Sequence, residues 1–300
     1  EHMNFINEIA VRILPAMPEK LVGYFSKRYI AGDSLEDAIK VVKDLNKKGI
    51  CATIDILGEL VNDREDAVQA MKDNMEILEA IEADKLNSNL SLKPTHLGLK
   101  IDRDFCLSNI KKVVEKAEKM GNFVRLDMED STCTSDTIYI YKELRKNSES
   151  IGIAIQAYLR RSYFDVKSLE PYHPNIRLCK GIYREPREIA YKDRDVINKN
   201  YALLLEKLLK NGCYVGIATH DESLIWEAYR LIDELNLDSQ KYEFQMLLGV
   251  DPQLRDIIVN DGNRLRVYVP FGKDWYPYSL RRLKENPRIA GYIIRNIFTD

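Results

Sequence analysis

Eight short runs rich in β-branched and aromatic residues recur along the 300-residue chain, with helix-like or turn-like segments between them. They are residues 51–57 (CATIDIL), 96–101 (HLGLKI), 122–127 (NFVRLD), 152–158 (GIAIQAY), 176–182 (IRLCKGI), 214–218 (YVGIA), 242–247 (YEFQML) and 265–269 (LRVYV). Residues 64–86, 107–120, 135–147, 187–211, 222–236 and 250–262 carry helical periodicity or composition. Strands that alternate with helices read as a parallel sheet of the α/β class. Eight repeats predict closure into a (β/α)8 barrel of the TIM type, which keeps its reactive groups at the C-terminal ends of the strands.

Residues 5–46 precede the first strand and read as helices. The second of these opens at Asp33 or Ser34 and carries Leu35, Ile39, Val42 and Leu45 at helical spacing. The expected organisation is an N-terminal helical extension over 1–46, its first three residues a cloning scar, followed by a catalytic barrel over 47–300. No linker, low-complexity tract or further repeat interrupts it.

Composition removes several function classes. A net charge of −2 gives no basic excess for a nucleic-acid surface. Five cysteines, an odd number with no C-x-x-C pair, fit no disulfide framework and suit a reducing, cytoplasmic compartment. Neither a signal peptide nor an apolar run long enough to span a bilayer is visible. Once the scar is set aside, His96, His173 and His220 form no H-x-H or H-E-x-x-H pattern, so no metal site is expected. No G-x-G-x-x-G follows an early strand, which argues against a Rossmann dehydrogenase.

The richest local pattern lies after the last strand. Asp274 is a plausible N-cap, Pro277 fits a first turn, and Asn286-Pro287 ends a helix. Tyr278, Arg281, Arg282 and Glu285 fall at i, i+3, i+4 and i+7, on one helical face. Two adjacent guanidinium groups can clamp a carboxylate by charge-assisted hydrogen bonds. Taken alone, the same face would more often be a solvated surface on which an arginine pairs with Glu285.

Tyr-x-x-Arg-Arg-x-x-Glu resembles the signature of proline dehydrogenases. Ser91-Leu92-Lys93, Val124-Arg125-Leu126-Asp127-Met128-Glu129, Ile155-Gln156-Ala157-Tyr158, Arg177-Leu178-Cys179-Lys180-Gly181-Ile182-Tyr183, Ala218-Thr219-His220 and Phe244-Gln245-Met246-Leu247 look like the same family's blocks, in the family's order. The resemblance runs from about residue 50 to the C-terminus and is strongest to the small monofunctional bacterial enzymes. It implies a distorted barrel with its final helix over the mouth. It also implies noncovalent FAD, L-proline as substrate, Δ1-pyrroline-5-carboxylate as product and a quinone as electron acceptor. A separate chain would carry the pyrroline-5-carboxylate dehydrogenase. Any membrane contact would be peripheral, at the inner face of the bacterial membrane.

Residue by residue, the resemblance assigns Arg281, Arg282 and Lys93 to the proline carboxylate. Asp127 becomes an active-site carboxylate that balances those cations, and Arg177 a cation near flavin N5 that favours the arriving hydride. Tyr183, Leu247, Tyr268 and Tyr278, with Glu285, would surround the pyrrolidine ring, Tyr268 so placed that a hydroxyl substituent is excluded. Met128, Gln156, Lys180, Gly181, Ile182, Thr219 and His220 would line the flavin. Ile182 departs from the family's more usual alanine. From the residues alone, Arg125, Asp127 and Glu129 share one strand face, and Asp127 could equally be a buried partner of Arg125 or of a tail arginine.

Rival readings make distinct predictions. A Schiff-base aldolase would use Lys100 or Lys180 as nucleophile and bind no flavin. A non-catalytic binding barrel would take neither FAD nor proline. Hydroxyproline or another cyclic imino acid is the nearest alternative substrate.

Overall fold

The computed structural model describes residues 27–58 and 61–285, with side chains as far as Leu280. Eight parallel strands close into a barrel in sequence order. They are β1 (Cys51–Ile56), β2 (Ser88–Leu92), β3 (Val124–Leu126), β4 (Ile151–Gln156), β5 (Asn175–Cys179), β6 (Tyr214–Ala218), β7 (Tyr242–Leu247) and β8 (Leu265–Phe271). Helix α1 (Leu35–Asn46) precedes β1. Helices α2 (Arg64–Ala83), α3 (Arg103–Lys119), α4 (Ser131–Arg145), α5 (Ser162–Leu169), α6 (Arg194–Lys210), α7 (Glu222–Glu234) and α8 (Pro252–Asn260) follow β1 to β7 in turn, and α9 (Trp275–Glu285) follows β8.

The helices start where the sequence supplies a cap. Asp63, Asp102, Asp130, Asp193, Asp221 and Asp251 each accept a first-turn backbone N–H, opening α2, α3, α4, α6, α7 and α8. Their charge also suits the positive end of the helix dipole. Ser34 opens α1 in a reciprocal capping box with Asp37.

Apolar side chains from the outer strand faces, among them Ile54, Leu90, Val124, Ile153 and Val215, are buried under the helices and form one continuous core. Helix α1 joins it through Ala38, Val42 and Leu45, packed on β8 and β1. It thereby covers the flank that a helix after the last strand would otherwise fill. Helix α9 lies elsewhere: Tyr278 packs with Tyr29, Ile30 and Leu57, and Val250 adjoins them. Leu57 and Val250 lie just past β1 and β7, so α9 begins over the mouth. The chain before α1 is tied there too, by Ala31 N–H to the Pro270 carbonyl at 2.9 Å and Gly272 N–H to the Gly32 carbonyl at 3.0 Å.

Two elements differ from the sequence expectation. The second strand is Ser88–Leu92, and the expected run 96–101 is instead a 3-10 turn (Pro94–Leu97) and its exit. Leu97, Leu99 and Ile101 imitate strand alternation, but Pro94 starts a tight turn and Gly98 leaves it at φ 97°. The true strand, Ser-Asn-Leu-Ser-Leu, has low β propensity because its alternate side chains face a polar interior. Helix α5 was not expected; it is short and has no side-chain cap. Of the helices expected over 5–46, α1 is described and the residues before 27 lie outside the described ones.

Candidate active site

Side chains on strands that are not neighbours can meet only inside the barrel, and here many do. Arg177 on β5 reaches Gln245 on β7 and Ser91 on β2, while Tyr268 on β8 reaches Asp127 beyond β3. The inward set is therefore polar, where barrels of this type usually pack branched apolar residues. Burying such groups is tolerable only when they pair.

The pairing centres on Asp127, one residue past β3. Its Oδ1 accepts from Arg177 Nη1 at 2.5 Å and from Ser91 Oγ at 2.6 Å, and its Oδ2 accepts from the Tyr268 hydroxyl at 2.8 Å. The Arg177 guanidinium also lies 5.2 Å from the Tyr268 ring centroid. Burial acts to raise the Asp127 carboxyl, but the Arg177 and Lys93 charges, with the Ser91 and Tyr268 hydrogen bonds, hold it below the ordinary value. Burial, then the Asp127 and Asp55 charges, push the Tyr268 phenol well above its usual range, so it stays a donor. Asp127 is thus paired with Arg177 and not with Arg125. Arg125 turns toward the barrel floor and donates to the Asn175 side chain at 2.6 Å. Glu129, two residues on, accepts the Thr95 N–H at 2.9 Å.

Lys93 follows β2 with an extended backbone, as Pro94 requires, and ion-pairs with Asp55 of β1. The Asp55 carboxyl is raised by burial, against the pull of Lys93. Its second oxygen has no hydrogen-bond partner among the described residues.

Gln156 ends β4. Its Nε2 donates to the Met128 carbonyl at 3.1 Å, and its Oε1 is buried without a partner among the described residues. An orphaned amide oxygen at the mouth is a ready acceptor for an N–H of a bound ring. Past β6, Thr219 is buried and His220 Nε2 accepts the Leu247 N–H at 2.9 Å, joining the ends of β6 and β7. Lys180 is held by Asp221 at 2.6 Å, beside an exposed Ile182 and a half-buried Tyr183. Gly181 has φ +106°, and a Cβ there would stand 2.1 Å from the Tyr158 ring. Tyr278 is buried in the first half of α9. Arg281, Arg282 and Glu285 continue that helix, but their side chains lie outside the described residues.

The structure therefore brings Lys93, Asp127, Arg177 and Tyr268 into one linked group at the strand ends, with Gln156, Lys180, Thr219, His220 and Leu247 around the same rim. A family model described as proline dehydrogenase matches residues 38–293. The chain belongs to the proline dehydrogenase family. Proline dehydrogenase 1 of Bacillus subtilis is 36% identical over 272 residues, which is 91% of this chain and 90% of that one. Proline dehydrogenase 2 of the same organism is 38% identical over 270 residues, covering 90% and 89% of the two chains. The proline dehydrogenase of Deinococcus radiodurans is 35% identical over 277 residues, covering 91% and 89%. Among solved structures, proline utilization A (PutA) of Bdellovibrio bacteriovorus, inactivated by N-propargylglycine, matches with a TM-score of 0.86 and 26% identity over 96% of this chain. This chain spans 37% of that longer one.

The sequence reading missed four members of the linked group as site residues: Asp55, Ser91, Glu243 and Gln245. Their signal was present. Asp in an apolar β run is unusual, and Glu243 and Gln245 alternate with Phe244 and Met246. The rival Schiff-base lysines fare poorly. Lys100 is exposed and contacts Thr132, and Lys180 is neutralised by Asp221.

Proposed function

We propose that this member of the proline dehydrogenase family oxidises L-proline to Δ1-pyrroline-5-carboxylate, the first step of proline catabolism, with noncovalent FAD. The observation that carries the reading is the buried Lys93–Asp55 and Arg177–Asp127–Tyr268 assembly at the strand ends, in a chain that matches the family almost end to end. The orphaned Gln156 Oε1 and the nearby Lys180, Thr219 and His220 suit a flavin ring and its anionic tail. When bound, the flavin supplies the acceptor for hydride from proline C5.

The chain's own residues bind and orient. Lys93, with Arg281 and Arg282 from α9, holds the proline carboxylate, and Asp55 keeps the Lys93 amine at the end of β2. Asp127 offsets this cluster of cations, so an anionic substrate meets a limited positive charge. Arg177 presents a fixed cation where negative charge develops. Met128 and Ile182 take positions along the flavin, and Tyr183, Leu247, Tyr268, Tyr278 and Glu285 enclose the ring. Proline would lose a hydride from C5 to the bound flavin and a proton from nitrogen to solvent, leaving the C=N bond. No protein nucleophile is required, and orientation supplies much of the rate.

Tyr268 favours proline over hydroxyproline, because its hydroxyl is committed to Asp127 and its ring lies under Arg177. It cannot swing aside for an added hydroxyl without breaking both contacts. The electrons then pass to a quinone. Among the described residues no helix is long and apolar enough to cross a membrane.

The test is an anaerobic visible spectrum of the FAD-reconstituted protein before and after addition of L-proline. Bleaching of the flavin bands by proline, faster than by hydroxyproline, is the expected result. Failure to bind flavin would overturn the reading, and faster bleaching by hydroxyproline would overturn the substrate assignment.

A further inference from the structure

We propose that Gln245, oriented by Glu243, is a positioning residue that sets the plane of the Arg177 guanidinium for the redox step. The proposal rests on the proline dehydrogenase reading above. A guanidinium can only donate hydrogen bonds and a carboxylate can only accept them, whereas an amide does both. Gln245 stands between one of each. Its Oε1 accepts from Arg177 Nε at 2.7 Å, and its Nε2 donates to Glu243 Oε1 at 2.6 Å. Turning the amide over would oppose donor to donor and acceptor to acceptor, so Glu243 permits one orientation only.

Glu243 is itself fixed. Arg266 Nε donates to the same carboxylate oxygen at 2.7 Å, and Arg266 Nη1 donates to the Ala52 carbonyl of β1 at 2.7 Å. Burial acts to raise the Glu243 carboxyl, but Arg266, Arg125 and the Gln245 hydrogen bond together hold it below the ordinary value, so the group remains an acceptor. A continuous chain thus runs from the β1 backbone through Arg266, Glu243 and Gln245 to Arg177, and ends at Asp127 in the mouth.

Together with the covalent Cδ, two hydrogen-bond anchors fix the guanidinium plane where one leaves it free to turn. Asp127 and Ser91 hold Arg177 through Nη1 alone. With that contact only, the planar fork could pivot about it. The second anchor, at Nε, comes from Gln245 and stops the pivot. The barrel reserves room for the amide: a Cβ on Gly216 would lie 2.3 Å from Gln245 Nε2. Gly216 is also the register partner of Arg177 on the neighbouring strand. Gln245, Glu243 and Arg177 are all buried, so this geometry is not shared with bulk water.

A packing role would need only the volume of Gln245, which methionine supplies. Q245M, G216A, R177M and the double variant R177M/Q245M are therefore compared with the wild type as FAD-loaded proteins. The readouts are kcat and KM for L-proline, and the flavin midpoint potential by spectroelectrochemistry. Q245M is expected to lower kcat by about ten- to a hundredfold, the scale of a small misplacement of a reacting group. KM should stay near the wild-type value. The potential should become more negative, in the direction of R177M, because a misaimed cation stabilises reduced flavin less. G216A should shift it the same way by crowding the same amide. In the R177M background, Q245M should add no further loss, since the two act as one unit. A Q245M protein with wild-type kcat and potential, or one whose loss persists in full without Arg177, would overturn the proposal. Should Q245M not fold, a wild-type potential in G216A overturns it. If the wild type is not reduced by L-proline, the proposed function fails instead, while the potential shift can still be read with a chemical reductant.

Discussion

Asp127 shows why a residue's type and its neighbours have to be considered together. Acidic side chains are rarely buried, and this one is kept charged by two cations and two hydroxyl donors. Removing it leaves Arg177 buried beside an empty acceptor. Asp127→Ala should cost about 3–5 kcal/mol of stability, the range for breaking one side of a buried pair, seen as a lower urea midpoint of the FAD-free protein. It should also abolish most activity. An unchanged midpoint would mean that the pair contributes little. The sign of the pH dependence follows from the lowered folded pKa. Such a group contributes stability above its unfolded value of about 3.9 and loses it as pH falls through the folded value. The stability gap between wild type and Asp127→Asn should hold from neutral pH to about 4 and narrow below that. A gap that persists in strong acid would point to packing in place of charge. The lumen glycines belong to the same account. Gly152 and Gly216 are the register partners of Arg125 and Arg177, and a Cβ on Gly152 would stand 2.7 Å from Arg125 Nη1.

At the scale of elements, the two helices nearest the ends of the barrel exchange their usual tasks. Helix α1 covers β8 and β1, which releases α9 to lie over the mouth. That freedom seats the start of a Tyr-x-x-Arg-Arg-x-x-Glu helix at the mouth, with Tyr278 buried against Tyr29, Ile30 and Leu57. Arg281→Met and Arg282→Met should each raise KM for proline by about ten- to a hundredfold, as expected for loss of a charge-assisted hydrogen bond worth about 1.5–3 kcal/mol. Thermal midpoints should change little. Unaltered KM in both variants would make this helix a surface element. The missed strand β2 has a related cause. Ser88, Asn89 and Ser91 look unsuited to a strand until their partners are seen, Asn89 on Thr53 and Ser91 on Asp127.

At the scale of the molecule, the barrel has two interiors with opposite chemistry. The outer, between strands and helices, is apolar and continuous. The inner is a hydrogen-bonded ionic lattice, costly to dehydrate and rigid once complete. Closure of the outer layer depends on α1, where Ala38 and Val42 are fully buried. A chain beginning at Lys47 would expose the outer faces of β1 and β8. Loss of Val42 and Leu45 packing alone, about 1.5–3 kcal/mol each, is large beside a total stability of about 5–15 kcal/mol. The truncated chain is expected to lack a cooperative unfolding transition by circular dichroism. A native-like transition would show that the barrel closes without α1.

The alternation of strands and helices, and the family to which the chain belongs, are legible in the sequence alone, whereas the aspartate caps that open most helices are recognised only once the helices are seen. The legible features are local: side-chain periodicity and ordered motif blocks lie within short windows. Lys93, Asp127 and Arg177 could be named from those blocks, and Tyr268 from the family resemblance as a whole. Which of them touch follows from the closed barrel. Arg125 lies two residues from Asp127 in the chain and Arg177 fifty, yet barrel register sends the nearer arginine to the floor and the farther one to the mouth. It likewise decided that Asp55 meets Lys93, and that Gln245 links Glu243 to Arg177. Those contacts join strands that are distant in the chain, and closure of the sheet alone brings them within hydrogen-bond reach.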